Sequence, residues 1–145
     1  MKQAVILAGG KGTRLNKILN GKPKPLVEIG KTPLLERQIL SIKGYGINKI
    51  ILLVNYKYNE IVEYCLKNNN WGVDLEFIKD GKQYMGTAGA VLSVFNKLDE
   101  VFLVVYGDTL FNIDIHKFYS HHSKKNSAAT LYLHPNDHPY DSDLA

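Results

Sequence analysis

The sequence predicts an α/β domain: a mainly parallel sheet held between two layers of helices. Three observations carry this. Short aliphatic runs of strand length occur at Ala4–Leu7, Ile50–Val54 and Val101–Tyr106. Between them lie longer segments in which apolar residues recur at helical spacing. The two kinds alternate along the chain, as they do where strand–helix–strand units build a parallel sheet.

Each element has its own signals. Gln3–Ala8 reads as the first, buried strand. Thr32-Pro33 is expected to open a helix, with the threonine as cap and the proline in the first turn. Leu34, Leu35, Ile39 and Leu40 would form its inward face, and Gly44 and Gly46 would end it. Ile50–Val54 is a second buried strand. Asn59–Asn68 is expected to be a helix with Ile61, Val62, Cys65 and Leu66 on one face, followed by a loop to Gly72. Val73–Lys79 alternates and reads as a less buried strand. Gly86–Leu98 is expected to be a helix that starts on small residues. Val101–Tyr106, a continuous apolar run, is the strongest strand signal in the chain. Ile115–His122 reads as a short helix capped by Asp114, and Ser127–Leu133 as a last strand. Residues 134–145 are polar and rich in turn formers. The chain has no internal repeat and no low-complexity tract.

Composition narrows the function classes. The 145 residues suffice for one domain with a real core. A 45% apolar and 22% charged content is ordinary for a globular protein. The formal charge of +4 suits an anionic ligand, but is too small and dispersed to argue for nucleic acid. The lone Cys65 rules out an internal disulfide framework and points to a reducing compartment and a core role. The N-terminal apolar stretch stops at glycines after a few residues, so no secretory leader is expected. No run approaches the ~20 apolar residues that span a bilayer. A cytoplasmic protein without a membrane partner is the expectation.

The strongest chemical signal follows the first strand. Ala8-Gly9-Gly10-Lys11-Gly12-Thr13-Arg14 interleaves three glycines with cations and a hydroxyl. Glycines let backbone N–H groups approach an anion, and the cations neutralise it. The spacing is too short for a P-loop, and the third glycine of a dinucleotide fingerprint is missing. Lys22-Pro23-Lys24-Pro25-Leu26 adds a second basic segment stiffened by two prolines, in which either Lys22 or Lys24 could be the solvent-facing cation. Open α/β sheets bind ligands beyond the carboxyl ends of their strands, where both segments would lie. Asp108, placed after a strand and Gly107, would bring a carboxylate to the same edge. Read alone it is also a turn residue or a helix cap; with the glycine loop it reads as a magnesium ligand. Gly86-Thr87-Ala88-Gly89 would let a flat ring approach the backbone, or serve helix–sheet packing alone. His116, His121 and His122 have poor metal-pair spacing and read as surface residues. Tyr56, Tyr58, Tyr64 and Phe95 do not interleave with a basic stripe and read as core and helix surface.

Leu7-Ala-Gly-Gly-Lys-Gly-Thr-Arg-Leu15, Pro23-Lys24-Pro25-Leu26-Val27, Gly86-Thr87-Ala88-Gly89-Ala90 and Tyr106-Gly107-Asp108-Thr109 occur in that order. Together they resemble the signature of the sugar-1-phosphate nucleotidyltransferases, the NDP-sugar pyrophosphorylases. The resemblance implies a Rossmann-like three-layer fold, of which residues 1–145 would be the nucleotide-binding portion. It runs from the N-terminus to about residue 114; the family's following stretch, with the sugar-phosphate pocket and a second metal-binding acid, is not matched. A truncated domain is therefore the expectation, as a fragment, a natural truncation, or a fold completed by another chain.

The implied reaction is attack of a sugar 1-phosphate oxygen on the α-phosphorus of a nucleoside triphosphate, with release of pyrophosphate and Mg2+ as cofactor. By resemblance Arg14 would hold the triphosphate, Lys24 would sit near the α-phosphate, and Asp108 would bind the metal. Leu7, Ala8, Gly9, Gly10, Lys11, Gly12 and Thr13 would form the nucleotide loop. Gly86 and Thr87 would lie near the base and sugar, and Gln83 could read a base edge. Lys82-Gln83-Tyr84-Met85 departs from the family's glutamate-proline-leucine at that point. The wording is similar to that of the heptose- and mannose-1-phosphate guanylyltransferases, which favours GTP. Two other classes stay open. One is a non-catalytic nucleotide- or sugar-phosphate-binding module; the other, disfavoured by the Gly-Thr-Arg-Leu and Pro-Lys-Pro pairing, is a cofactor nucleotidyltransferase. An uncovered sheet edge would favour a homo-oligomer.

Overall fold

A computed structural model describes residues 1–10, 19, 21–79 and 86–133. The chain forms two compact units, Met1–Asn112 and Ile113–Ala145. In the first, β1 (Gln3–Leu7) is central to a four-stranded parallel sheet with β4 (Lys49–Val54), β5 (Asp74–Lys79) and β6 (Phe102–Tyr106), in the order β5-β4-β1-β6. Register is continuous across the centre: Val5 lies beside Ile51 on one side and Val104 on the other. The aliphatic runs form this sheet because parallel strands with both faces covered can be apolar throughout. Ala4, Val5, Ile6 and Ile50–Val54 are accordingly all buried.

The chain moves outward from β1 through α1 (Leu34–Gly44) to β4 and through α2 (Tyr58–Lys67) to β5. It then returns past β1 by way of α3 (Gly86–Leu92) to β6. Right-handed crossovers place α1 and α2 on one face and α3 on the other. On the α3 face, Ala90 and Val94 pack with Val5, Ile51 and Leu53. The reversal lies between β1 and β6, and there the carboxyl ends of two neighbouring strands part company.

Several local expectations are corrected. Thr32-Pro33 does not open the helix; it pairs as β3 with Glu28–Ile29 (β2) in a hairpin. The two-residue loop Gly30-Lys31 makes the turn, with Gly30 at φ +70°, and no side chain caps α1. Arg37 holds the hairpin by donating from Nε and Nη2 to the Ile29 carbonyl at 3.1 and 2.6 Å. Leu40 and Leu66 face outward, whereas Gln38 and Ile42 are buried on the inner face of α1. The α3 helix ends at Leu92 rather than Leu98, and a separate 3-10 turn covers Phe95–Lys97. Ser93 Oγ donates to the Ala90 carbonyl at 2.7 Å, a local bond that competes with continued helix.

The apolar run of β6 conceals an alternation. Leu103 and Val105 are buried, while Val104 and Tyr106 on the opposite face are exposed, because the described residues cover one face of β6 more fully than the other. Cys65 is fully buried, and burial pushes its thiol up to about 12. The Tyr64 hydroxyl donates to Glu36 Oε2, tying α2 to α1; burial and that carboxylate raise the phenol well above its ordinary value.

In the second unit, α4 (Ile115–Lys125) is capped by Asp114, whose Oδ1 accepts from the Lys117 backbone N–H at 3.0 Å. The expected strand at Ser127–Leu133 does not form; these residues have no ladder partner among those described, and Leu131, Tyr132 and Leu133 are exposed. No helix among the described residues is long and apolar enough to cross a membrane.

Candidate functional site

β1 and β6 approach closely where they end. The Gly107 N–H donates to the Leu7 carbonyl at 2.9 Å. A Cβ at position 107 would stand 2.6 Å from that carbonyl oxygen and 2.9 Å from Ala8 Cα, so only glycine fits here without displacing backbone. Beyond this point the chain after β1 turns away as Ala8-Gly9-Gly10 and the chain after β6 as Gly107-Asp108. Between them opens a cleft of about 210 Å3. Leu7, Ala8, Gly9 and Gly10 line one part of it, and Tyr106, Gly107 and Asp108 another. Lys24 and Pro25 close one end, and Gly86, Thr87 and Ala90 come from the start of α3. The cleft sits at the reversal of strand order, where open α/β sheets take their ligands.

The lysine is positioned by its prolines. Pro23 and Pro25 are both buried and fix the backbone on either side of Lys24. The segment Lys24–Leu26 is one 3-10 turn, closed by Leu26 N–H to Pro23 O at 2.8 Å and Val27 N–H to Lys24 O at 3.1 Å. From this turn Lys24 Nζ donates to Asp108 Oδ2 at 2.8 Å, across 84 positions of sequence. Lys22 points elsewhere, pairing with Glu28 Oε1 at 3.0 Å with its side chain 61% exposed. Lys22 is thus the more solvent-facing of the two lysines.

The turn that carries Asp108 is tied from below. Buried Gln38 of α1 donates from Nε2 to the Tyr106 carbonyl at 2.8 Å and the Thr109 carbonyl at 2.6 Å. Thr109 N–H also closes the turn onto Tyr106 O at 3.2 Å. Neither Gln38 nor the close approach of Gly107 was anticipated as part of the site. The available signal for Gln38 was its phase: it stands at core spacing from Leu34, Leu35 and Ile42 on an otherwise apolar face.

The residues expected to bind nucleotide thus divide into two groups. Leu7, Ala8, Gly9, Gly10, Lys24, Gly86, Thr87 and Asp108 all line the one cleft. Lys11, Gly12, Thr13, Arg14 and Gln83 lie outside the described residues. Asp114 caps α4, as expected. His116 and His121 are exposed, and His122 Nδ1 lies 2.9 Å from Thr130 Oγ1. Among the described residues no three of His, Cys, Asp and Glu cluster as a metal cage.

Comparison with known proteins agrees with this architecture. The Nucleotidyl transferase family matches residues 3–141. A probable glucose-1-phosphate cytidylyltransferase of Bacillus subtilis is 37% identical, over 89% of this chain and 59% of its own length. The D-glycero-alpha-D-manno-heptose 1-phosphate guanylyltransferase of Campylobacter jejuni is 38% identical, over 84% of this chain and 54% of its own. The crystal structure of HddC from Yersinia pseudotuberculosis complexed with GMP-PN superposes with a TM-score of 0.75 at 34% identity, over 84% of this chain and 54% of that one. The chain therefore spans a little over half the length of these relatives. It belongs to the Nucleotidyl transferase family.

Proposed function

We propose that this chain carries the nucleotide-binding part of a sugar-1-phosphate nucleotidyltransferase. In that reaction a phosphate oxygen of the sugar 1-phosphate forms a bond to the α-phosphorus of a nucleoside triphosphate; the bond to the β-phosphate bridging oxygen breaks, and pyrophosphate leaves. The observation that carries the reading is the Lys24–Asp108 pair facing Gly9 and Gly10 across a cleft at the strand-order reversal. Nucleotidyl transfer asks the protein mainly to align the reactants and to stabilise charge on oxygens. Lys24 would place its ammonium at the α-phosphate, Arg14 would grip the triphosphate through its planar fork, and the nucleotide loop from Leu7 through Thr13 would turn backbone N–H groups toward it. Gly86 and Thr87 would border the base and ribose, with Gln83 beside them.

The donor set fits Mg2+. Asp108 is a half-exposed carboxylate in the cleft wall, and its Oδ1 is 3.4 Å from the Thr109 hydroxyl, a contact too long to compete with a cation. Magnesium is commonly held by one or two carboxylates together with substrate phosphates and waters. Bound there, it would neutralise charge on the phosphate oxygens. The reading places the protein in the cytoplasm, where nucleoside triphosphates and a lone reduced cysteine coexist. It includes no nucleic-acid or membrane partner, and assembly into a homo-oligomer at an open strand edge.

GTP is the proposed nucleotide, supported by the guanylyltransferase relative and by the HddC complex. The cytidylyltransferase relative makes CTP the direct competitor. With Mg2+ present, GTP is expected to raise the melting temperature more than CTP, UTP, dTTP or ATP; equal shifts would remove the guanylyl assignment. A second reading is a module that binds nucleotide or sugar phosphate without turnover. Pyrophosphate release from GTP with a panel of sugar 1-phosphates separates the two: turnover supports the enzyme, and tight binding without release supports the module.

A further inference from the structure

Gln38 makes bonds that packing does not require. It lies on the inner face of α1, 1% exposed, among Leu34, Leu35, Ile39 and Ile42. Both atoms facing its amide, Tyr106 O and Thr109 O, can only accept, so the NH2 end must point at them and the orientation is fixed. Its Oε1 is buried without a partner among the described residues. A buried acceptor left unsatisfied is destabilising, and an aliphatic side chain of similar volume would avoid that cost. What the glutamine supplies in exchange is a pair of bonds to the two carbonyls that bracket Gly107 and Asp108. The Tyr106 carbonyl receives both the turn's own Thr109 N–H and the Gln38 amide, so α1 and the turn share one anchor.

We propose that Gln38 is a positioning residue: its amide pins the Tyr106–Thr109 turn so that the Asp108 carboxylate is held toward Lys24 and toward the metal of a bound triphosphate, without Gln38 touching either. The proposal rests on the reading of the cleft as a metal–triphosphate site. It separates two jobs on one strand end. Gly107 permits the close approach to β1, and Gln38 sets the direction in which the next residue points. A metal ion is sensitive to that direction, because its ligand must be held within a few tenths of an ångström. The rest of the nucleotide, resting on Gly9, Gly10, Gly86 and Thr87, is not.

The test uses Gln38→Met, which keeps an unbranched side chain of similar size and removes both donors. Wild type, Gln38→Met and Asp108→Asn are titrated calorimetrically with the better-bound of GTP and CTP, once with Mg2+ and once with EDTA. Gln38→Met is expected to lose about tenfold in affinity with Mg2+ and less than twofold with EDTA, a split that general loosening of the fold does not produce. Equal losses under both conditions, or no loss, would overturn the proposal. If Asp108→Asn weakens Mg2+-dependent binding while Gln38→Met does not, Gln38 fails and the cleft reading stands. If wild type shows no Mg2+ dependence and Asp108→Asn changes nothing, the cleft reading itself fails. Should Gln38→Met not fold, the wild-type side-chain amide resonances of Gln38 decide: they are expected to exchange slowly and to shift when Mg2+ is added to the nucleotide complex. Fast exchange with no shift would contradict the assignment.

Discussion

Two buried glutamines mark the two ends of the same sheet, and they are used differently. Gln3, at the start of β1, is fully paired: its Nε2 donates to Lys97 O at 2.9 Å and its Oε1 accepts from Asp99 N–H at 2.6 Å. It staples the segment that leads into β6, and both of its polar atoms are satisfied. Gln38 works at the opposite end and gives both donors to one turn, while its oxygen has no partner among the described residues. Around Gln38 lie a glycine that no other residue could replace without strain and a half-exposed ion pair. The closed end of the sheet is built for stability. The open end spends some of that stability on aiming a carboxylate into a cleft.

That contrast can be broken by substitution. Gly107→Ala should have the largest effect on stability, because the new Cβ would meet backbone rather than a yielding side chain. A cost of about 3 kcal/mol is expected, the upper part of the range for overpacking, together with weaker nucleotide binding. Thermal or urea unfolding measures the first, and titration the second. If Gly107→Ala binds nucleotide normally, the close approach of β1 and β6 does not shape the cleft.

Gln3→Leu probes the other end of the sheet. It strands the Asp99 N–H and the Lys97 carbonyl, and about 1–3 kcal/mol should be lost. Nucleotide affinity should stay within twofold of wild type, since nothing at that end reaches the cleft. A large loss of affinity would mean that the two ends are coupled and the division of labour is false. Lys22→Ala should be the mildest change. Its pair with Glu28 is exposed, so stability should move by less than about 0.5 kcal/mol and triphosphate affinity hardly at all. A strong loss of affinity would show that the wrong lysine has been assigned to the cleft.

Much of this was legible in the sequence because it depends on local signals. The aliphatic runs of β1 and β4, the prolines around Lys24 and the glycine before Asp108 all announce themselves within a few residues. Asp114 also reads correctly as a cap, since its role is settled by the helix it precedes. What failed depended on partners outside the segment itself, near or far in sequence. Thr32-Pro33 carries a fair helix-start signal, but the hairpin closed by Gly30 and gripped by Arg37 claims it. Ser127–Leu133 has strand-forming residues, yet a strand exists only where a neighbour accepts its hydrogen bonds. Gln38 is not legible from sequence, because a single amide on an apolar helix looks like tolerance until the carbonyls of Tyr106 and Thr109 are seen beneath it.

The Lys24–Asp108 pair is the centre of the proposed site, and titration of Mg2+·GTP into wild type, Lys24→Ala and Asp108→Asn tests it. Charge-assisted contacts of this kind are worth about 1.5–3 kcal/mol, so each substitution should weaken binding by roughly ten- to a hundredfold, with little change in melting temperature because the pair is half exposed. Binding of Mg2+·GTP that is indifferent to both substitutions would show that this pair does not hold the triphosphate or its metal.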